Sequence, residues 1–136
     1  MSGETNLSIL ISSMQPVLQE EDYVFVCVTQ AKDIAVTDLE PLGTFTEAEG
    51  QTLIVRQMVA DLHQLAYSGV FKQITLNVHS SLEAVGLTAF VSSQLAQQGI
   101  SANVVAAFFH DHVFVPSANA DRALSCLKEA IYASSV

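Results

Sequence analysis

Ser80 and Glu83 stand in the order Ser-x-x-Glu at the head of a helical stripe, and Gly86 follows three positions on. This is the spacing of a capping box. The Ser80 oxygen can accept from the Glu83 amide, and the Glu83 side chain can reach back to the Ser80 amide. The remaining free amides of such a first turn form a small anion site, helped by the helix dipole. Gly86 has no Cβ, so backbone or ligand can approach closely. A free amino acid suits this place. Its carboxylate takes backbone N–H groups while a carbonyl or an acidic side chain takes its ammonium. Glu47, Glu49 and Asp111 are the acidic candidates for that second role. Asn103 can turn its amide into the pocket or hold a strand edge. The same residues also read as an ordinary capped helix with Gly86 packed on a strand.

Other chemistry finds less support. His110-Asp111-His112 forms a turn, and His79 ends the preceding strand. Convergence of the three rings would make a mixed His/carboxylate metal site. Turn histidines are usually solvated or hydrogen-bonded, so no metal is expected. His63 lies beside an apolar helix face and reads as structural. Ser80 or Ser81 with His79 makes a poor nucleophile and base, because adjacent strand residues point to opposite faces. No G-x-S-x-G, P-loop or G-x-G-x-x-G occurs. The chain reads as a binding protein and not an enzyme.

The elements that position these residues follow from periodicity. Leu7, Leu10, Ile11, Met14, Val17 and Leu18 form a helical stripe capped by Asn6, and Pro16 should break it. Tyr23 to Thr29 is β-branched and aromatic at nearly every position and predicts a strand buried on both faces. An irregular stretch runs from Gln30 to Gly50, with short strands at Ile34–Val36 and Gly43–Thr46. Leu53 to Val55 predicts a strand, and a helix follows from about Arg56 to Tyr67, stopped by Ser68-Gly69. Phe71 to His79 alternates as a half-buried strand. A helix is expected from about Leu82 to Gln98, closed by Gly99. Ile100–Phe109 and His112–Val115 predict two strands about the His110-Asp111 turn. Pro116 leads into a last helix with Ala120, Ala123, Leu124, Leu127 and Ile131 inward.

A weak repeat links the halves: LIVRQMVAD at Leu53–Asp61 resembles VFVPSANAD at Val113–Asp121. Helices alternating with hairpins predict α+β layers, with helices on one face of a mainly antiparallel sheet. Dimerisation is one way to cover the bare face or the edges of such a sheet.

Composition sets the outer limits. The 136 residues carry five basic side chains and a formal net charge of −9, which excludes a nucleic-acid backbone or an anionic membrane as partner. Half of the residues are apolar, enough for a core and for surface left over to oligomerise. No apolar run reaches membrane-span length, and the N-terminus lacks a basic signal region, so a cytoplasmic location is expected. Cys27 and Cys126, without C-x-x-C spacing, read as two buried reduced thiols.

The stretch Val78-His79-Ser80-Ser81-Leu82-Glu83-Ala84-Val85-Gly86-Leu87, followed by Ser101-Ala102-Asn103-Val104-Val105, resembles the ACT domain. In that family a β-α-β-β-α-β core carries an acidic residue and a glycine at its first strand–helix turn. The likeness covers Phe71 to about Tyr132. It extends more loosely to the first half through Met14-Gln15-Pro16, Tyr23-Val24-Phe25 and Glu47-Ala48-Glu49-Gly50-Gln51-Thr52-Leu53. The chain thus resembles small stand-alone bacterial proteins with two ACT-like units, similar to the regulatory region of aspartokinases.

That resemblance implies a ferredoxin-like α+β fold in two units, 1–69 and 70–136, with antiparallel sheets and helices on one face. It implies a non-enzymatic regulator that binds a small-molecule effector, an amino acid, and forms a homodimer or higher homo-oligomer. The ligand set it implies is His79, Ser80, Ser81, Leu82, Glu83, Val85, Gly86 and Asn103, joined by Glu47 and Glu49, with no cofactor. The alternative is an interaction module that keeps the units only for assembly. Two features depart from the family pattern. Ser80-Ser81 replaces the usual Asp, with no Pro before the glycine, and no last strand of the second unit is visible after Ile131. A strand from elsewhere is one way to complete that sheet.

Overall fold

The structure, a computed structural model, describes residues 3, 5–29 and 34–135. Met1, Ser2, Glu4, Gln30 to Asp33 and Val136 lie outside them, and with them the opening of the irregular stretch. Six strands order as β2-β3-β1-β4-β6-β5 in an antiparallel-type α+β sheet. They are β1 (Gln15–Val28), β2 (Gly43–Glu47), β3 (Gly50–Arg56), β4 (Phe71–Asn77), β5 (Asn103–Ala106) and β6 (Asp111–Pro116). The helices are α1 (Leu7–Ser13), α2 (Gln57–Leu62), α3 (Leu87–Gln97) and α4 (Ala120–Ser135).

Two compact units result. The larger joins Met1–Glu20 to Lys72–Val136, and the smaller is Glu21–Phe71. By packing, the first twenty residues go with the C-terminal half of the chain. They also supply what the second half lacks after Ile131. The opening residues of β1 lie beside β4, where Gln19 Nε2 donates to Thr75 Oγ1 at 3.1 Å and Lys72 Nζ donates to the Glu20 carbonyl at 2.7 Å.

In the larger unit, Asn6 caps α1 as its spacing predicts, accepting from the Ile9 amide at 3.2 Å. Leu10 and Met14 of this segment enter a core with Ile74, Leu76, Leu87, Val91, Leu95, Val113, Val115 and Leu127. All of these are buried apolar side chains on one face of the strands and the facing stripes of the helices, the pattern periodicity requires. Val17, expected on the α1 stripe, instead lies exposed in β1, because the helix ends at Ser13 and extended backbone begins before Pro16. Proline fixes φ near the extended and helical-start value but blocks helix at the residue before it, so an early strand satisfies both restraints.

The smaller unit corrects several expectations. The strand expected over Tyr23–Thr29 is the end of β1, and it is buried on one face only. Val24, Val26 and Val28 point into the core, while Cys27 is exposed. Cys126 of the larger unit is only half-buried, so neither thiol is sealed. No strand forms at Ile34–Val36. A 3-10 turn at Val36–Leu39 drops Leu39 into the core instead. Helix α2 stops at Leu62, short of Tyr67, because Gln64 takes a left-handed φ of 56° and turns Leu65 inward to 5 % exposure. The Tyr67 hydroxyl then donates to Asp61 at 2.8 Å, which fixes that turn from outside.

Candidate functional site

The loop after β4 folds tightly before α3 can start. The Val78 amide donates to the Leu76 carbonyl at 2.8 Å, and the Ser80 amide to Val78 at 3.1 Å. Ser81, not Ser80, organises the next turn. Its hydroxyl accepts from the Glu83 amide at 3.1 Å and its carbonyl from the Ala84 amide at 3.0 Å. The capping box expected between Ser80 and Glu83 is therefore absent, and the helix expected from Leu82 begins at Leu87. The physical cause lies in Gly86. At φ 104° it occupies a region that suits glycine, and its carbonyl accepts from Phe90 to open α3. Serine and glutamate hydrogen-bond locally in the preceding turn and so postpone the helix. Gly86, the N-cap residue of α3, makes no side-chain cap bond.

Two N-terminal residues lie against this loop. A Cβ on Gly3 would stand 2.6 Å from Ser80 and Ser81 backbone atoms, so only glycine permits that approach. A Cβ on Gly86 would stand 2.9 Å from Leu7 Cδ2. The close approach that Gly86 allows is thus made by Leu7.

Beside the loop is a cavity of about 110 Å³. Ser80, Ser81, Leu82, Gly86, Thr88 and Asp111 are among the residues lining it. Asp111 opens β6 and is 8 % exposed. Burial pushes its carboxyl above the usual carboxylate range, against the opposing pull of His112 and His110. Neither neighbouring ring bonds to it. His110 Nδ1 faces the Val78 carbonyl at 3.4 Å. His112 Nδ1 lies 3.0 Å from Gln73 Nε2 and 3.1 Å from Thr75 Oγ1. Among the described residues no cluster of His, Cys, Asp or Glu is disposed to hold a metal ion.

Of the ten residues expected in the site, Ser80, Ser81, Leu82 and Gly86 share the cavity wall. His79, Glu83, Val85 and Asn103 do not line it. His79 stacks near Phe109, with ring centroids 5.7 Å apart, and Val85 is exposed. The Asn103 amide reaches the Phe114 carbonyl at 3.5 Å, the strand-holding alternative. Glu47 and Glu49 belong to the smaller unit. There Glu47 ends β2 and Glu49 lies in the β2–β3 turn, and both line an open cavity of about 740 Å³ with Val28, Thr29 and Gln51. Glu47 accepts from the Thr52 hydroxyl. Thr88, Ala84 and Ala106 also line the smaller cavity and were not legible as site residues, since nothing in their spacing marks them.

Two ACT-domain family models match the chain, one over residues 2–72 and the other over 70–129. A crystal structure of a Vibrio cholerae protein of unknown function, described as a possible transport protein, is 46% identical. It aligns with 92% of this chain and 95% of its own, at a TM-score of 0.80. An Agrobacterium tumefaciens structure is 18% identical, with 86% and 88% covered and a TM-score of 0.66. The regulatory subunit of aspartate kinase from Thermus thermophilus shares the fold at 8% identity, with 85% and 95% covered and a TM-score of 0.56. No curated protein matches.

Proposed function

The chain belongs to the ACT-domain family, and from that premise we propose that it is a cytoplasmic regulator, without enzymatic activity, that binds a free amino acid. One observation carries this reading. The cavity wall includes both the start of α3, whose N-cap residue Gly86 makes no side-chain cap bond, and Asp111, which is 8 % exposed. A helix start favours an anion. A buried carboxylate favours a cationic donor. An α-amino acid carries both charges a few ångströms apart, and a net charge of −9 does not repel a zwitterion as it would an anion. Binding would restrain the loop between β4 and α3, and a partner or a second copy would sense that restraint. A thermal-shift series with the twenty amino acids at millimolar concentration tests the idea, because a ligand selective for the native state raises its apparent stability. At least one amino acid should raise the melting temperature, and a flat response to all twenty counts against the reading.

A second reading is favoured by a different observation. Leu82, Val85, Phe108 and Phe109 of the larger unit are 61–82 % exposed. Surface of this kind suits an interaction module that uses its ACT units for assembly as a homodimer or larger homo-oligomer. A flat amino-acid response, joined to a concentration-dependent molar mass, would select this second reading.

A further inference from the structure

We infer that His112, Gln73 and Thr75 form a proton-sensitive latch between β4 and β6, closed while the His112 ring is neutral and opened when the ring takes up a proton. Strand β4 lies between β1 and β6 in the sheet order. Ile74 and Leu76 of β4, like Val113 and Val115 of β6, point into the core. Alternation therefore sends Gln73, Thr75 and His112 to the other side of the sheet. There the His112 Nδ1 lies 3.0 Å from Gln73 Nε2 and 3.1 Å from Thr75 Oγ1. The Thr75 oxygen accepts from Gln19 Nε2 at 3.1 Å, which leaves its own proton for the ring. An amide nitrogen only donates. Two donors thus converge on one ring nitrogen, and they suit it only as an unprotonated acceptor. The proton of the neutral ring then sits on Nε2.

A proton added at Nδ1 turns both contacts into donor facing donor. Thr75 can respond by rotating its hydroxyl, because its oxygen can accept twice. Gln73 has to turn its whole amide over to offer Oε1, and at 7 % exposure little water is at hand for the displaced Nε2. Gln73 is therefore the stiff part of the latch, and the proton on His112 is coupled to the direction of its amide. Several groups act on the ring. Burial favours its neutral form, His110, with ring centroids 6.5 Å apart, opposes a second positive charge, and Asp111 pulls the other way. The strands alongside present Gln73, Thr75 and Gln19, and Val105 of β5 pairs with His112; none of these titrates. Lys72 and Glu20 alternate to the other side, where Lys72 Nζ donates to the Glu20 carbonyl, and Glu21 is exposed. The latch is thus set by the polarity of hydrogen bonds and not by an ion pair. It does not depend on whether an amino acid binds.

Ring-nitrogen NMR of the full chain tests the latch, joined to amide hydrogen exchange corrected for the intrinsic effect of pH. At about pH 7.5 His112 should be the Nε2–H tautomer with Nδ1 unprotonated. As the ring titrates, protection of the amides at 73–75 and 112–114 should fall by about tenfold, the worth of one net hydrogen bond, while the core amides of α4 hold. Thr75→Val removes a donor that the neutral ring uses, so the His112 midpoint should rise. Gln73→Glu sets an acceptor opposite the ring, so it should raise the midpoint further and abolish or reverse the loss of protection in acid. An Nδ1–H tautomer of the neutral ring overturns the inference. So does an unmoved midpoint in Thr75→Val, or a loss of protection in acid at β4 and β6 that persists in His112→Gln. The tautomer is read on the unaltered chain, so the latch stays open to disproof even where a variant fails to fold.

Discussion

Asp111 and His112 are neighbours whose environments act on them in opposite ways, and each predicts a measurable sign. The carboxyl of Asp111 is raised above its ordinary value of 3.8, chiefly by burial. The ionised form is therefore penalised in the folded chain, and the penalty is complete above the folded pKa. It fades as pH falls through that pKa toward 3.8, because the folded state then takes up the proton first. Asp111→Asn should accordingly raise the unliganded melting temperature at pH 7, with the gain shrinking in acid. A proposed binding residue that costs stability fits a common compromise. His112 is lowered from 6.5, by burial first and by His110 second, with Asp111 opposing. The unfolded chain takes that proton at higher pH than the folded one. Stability should therefore fall as pH drops through 6.5 toward the folded value. His112→Gln should flatten the acid side of a melting-temperature profile between about pH 7 and 5, because glutamine can keep a contact to Gln73 or Thr75 without titrating.

At the scale of elements, α1 and the opening of β1 carry the division of the chain. Leu10 is fully buried among Ile74, Leu76, Val91 and Leu127, although more than sixty residues separate it from them. Leu10→Ala should cost about 2–5 kcal/mol in chemical denaturation. Leu7→Ala, at a side chain 36 % exposed, should cost less than that. A comparable loss at both positions would mean that α1 holds its place through Gly86 more than through the core. The same elements mark what could be read beforehand. The Asn6 cap, the β4 alternation and the α4 stripe were legible, because they depend on neighbours in sequence. The loop before α3 was legible in location and in its glycine. Its geometry was not, because Ser80-x-x-Glu83 satisfies the capping-box spacing whether or not the helix begins there, and only Gly86's left-handed turn decides. Asp111 was visible as an acidic candidate. That it would be buried depends on β6 packing, which no local pattern encodes.

At the scale of the whole molecule, acidity and apolar exposure oppose each other, and salt separates them. Strands β2 and β5 end the sheet order, and Phe45 on β2 and Phe108 just after β5 are exposed. Unpaired strand edges beside exposed aromatics are the usual material of contact between copies. Each copy also carries −9. At low ionic strength this like charge repels over a Debye length of about 30 Å, and at about 0.15 M over only about 8 Å. If copies associate through apolar edges, raising salt from about 0.01 to about 0.15 M should increase the associated fraction in light scattering. An interface built on ion pairs would respond the other way. Phe108→Ser with Phe109→Ser should lower that fraction at fixed salt if β5 forms the contact, and Phe45→Ser if β2 does. Either response, read with and without an amino acid that raises the melting temperature, tests whether the proposed ligand binding and the contact between copies are coupled, since linkage requires each to shift the other equally.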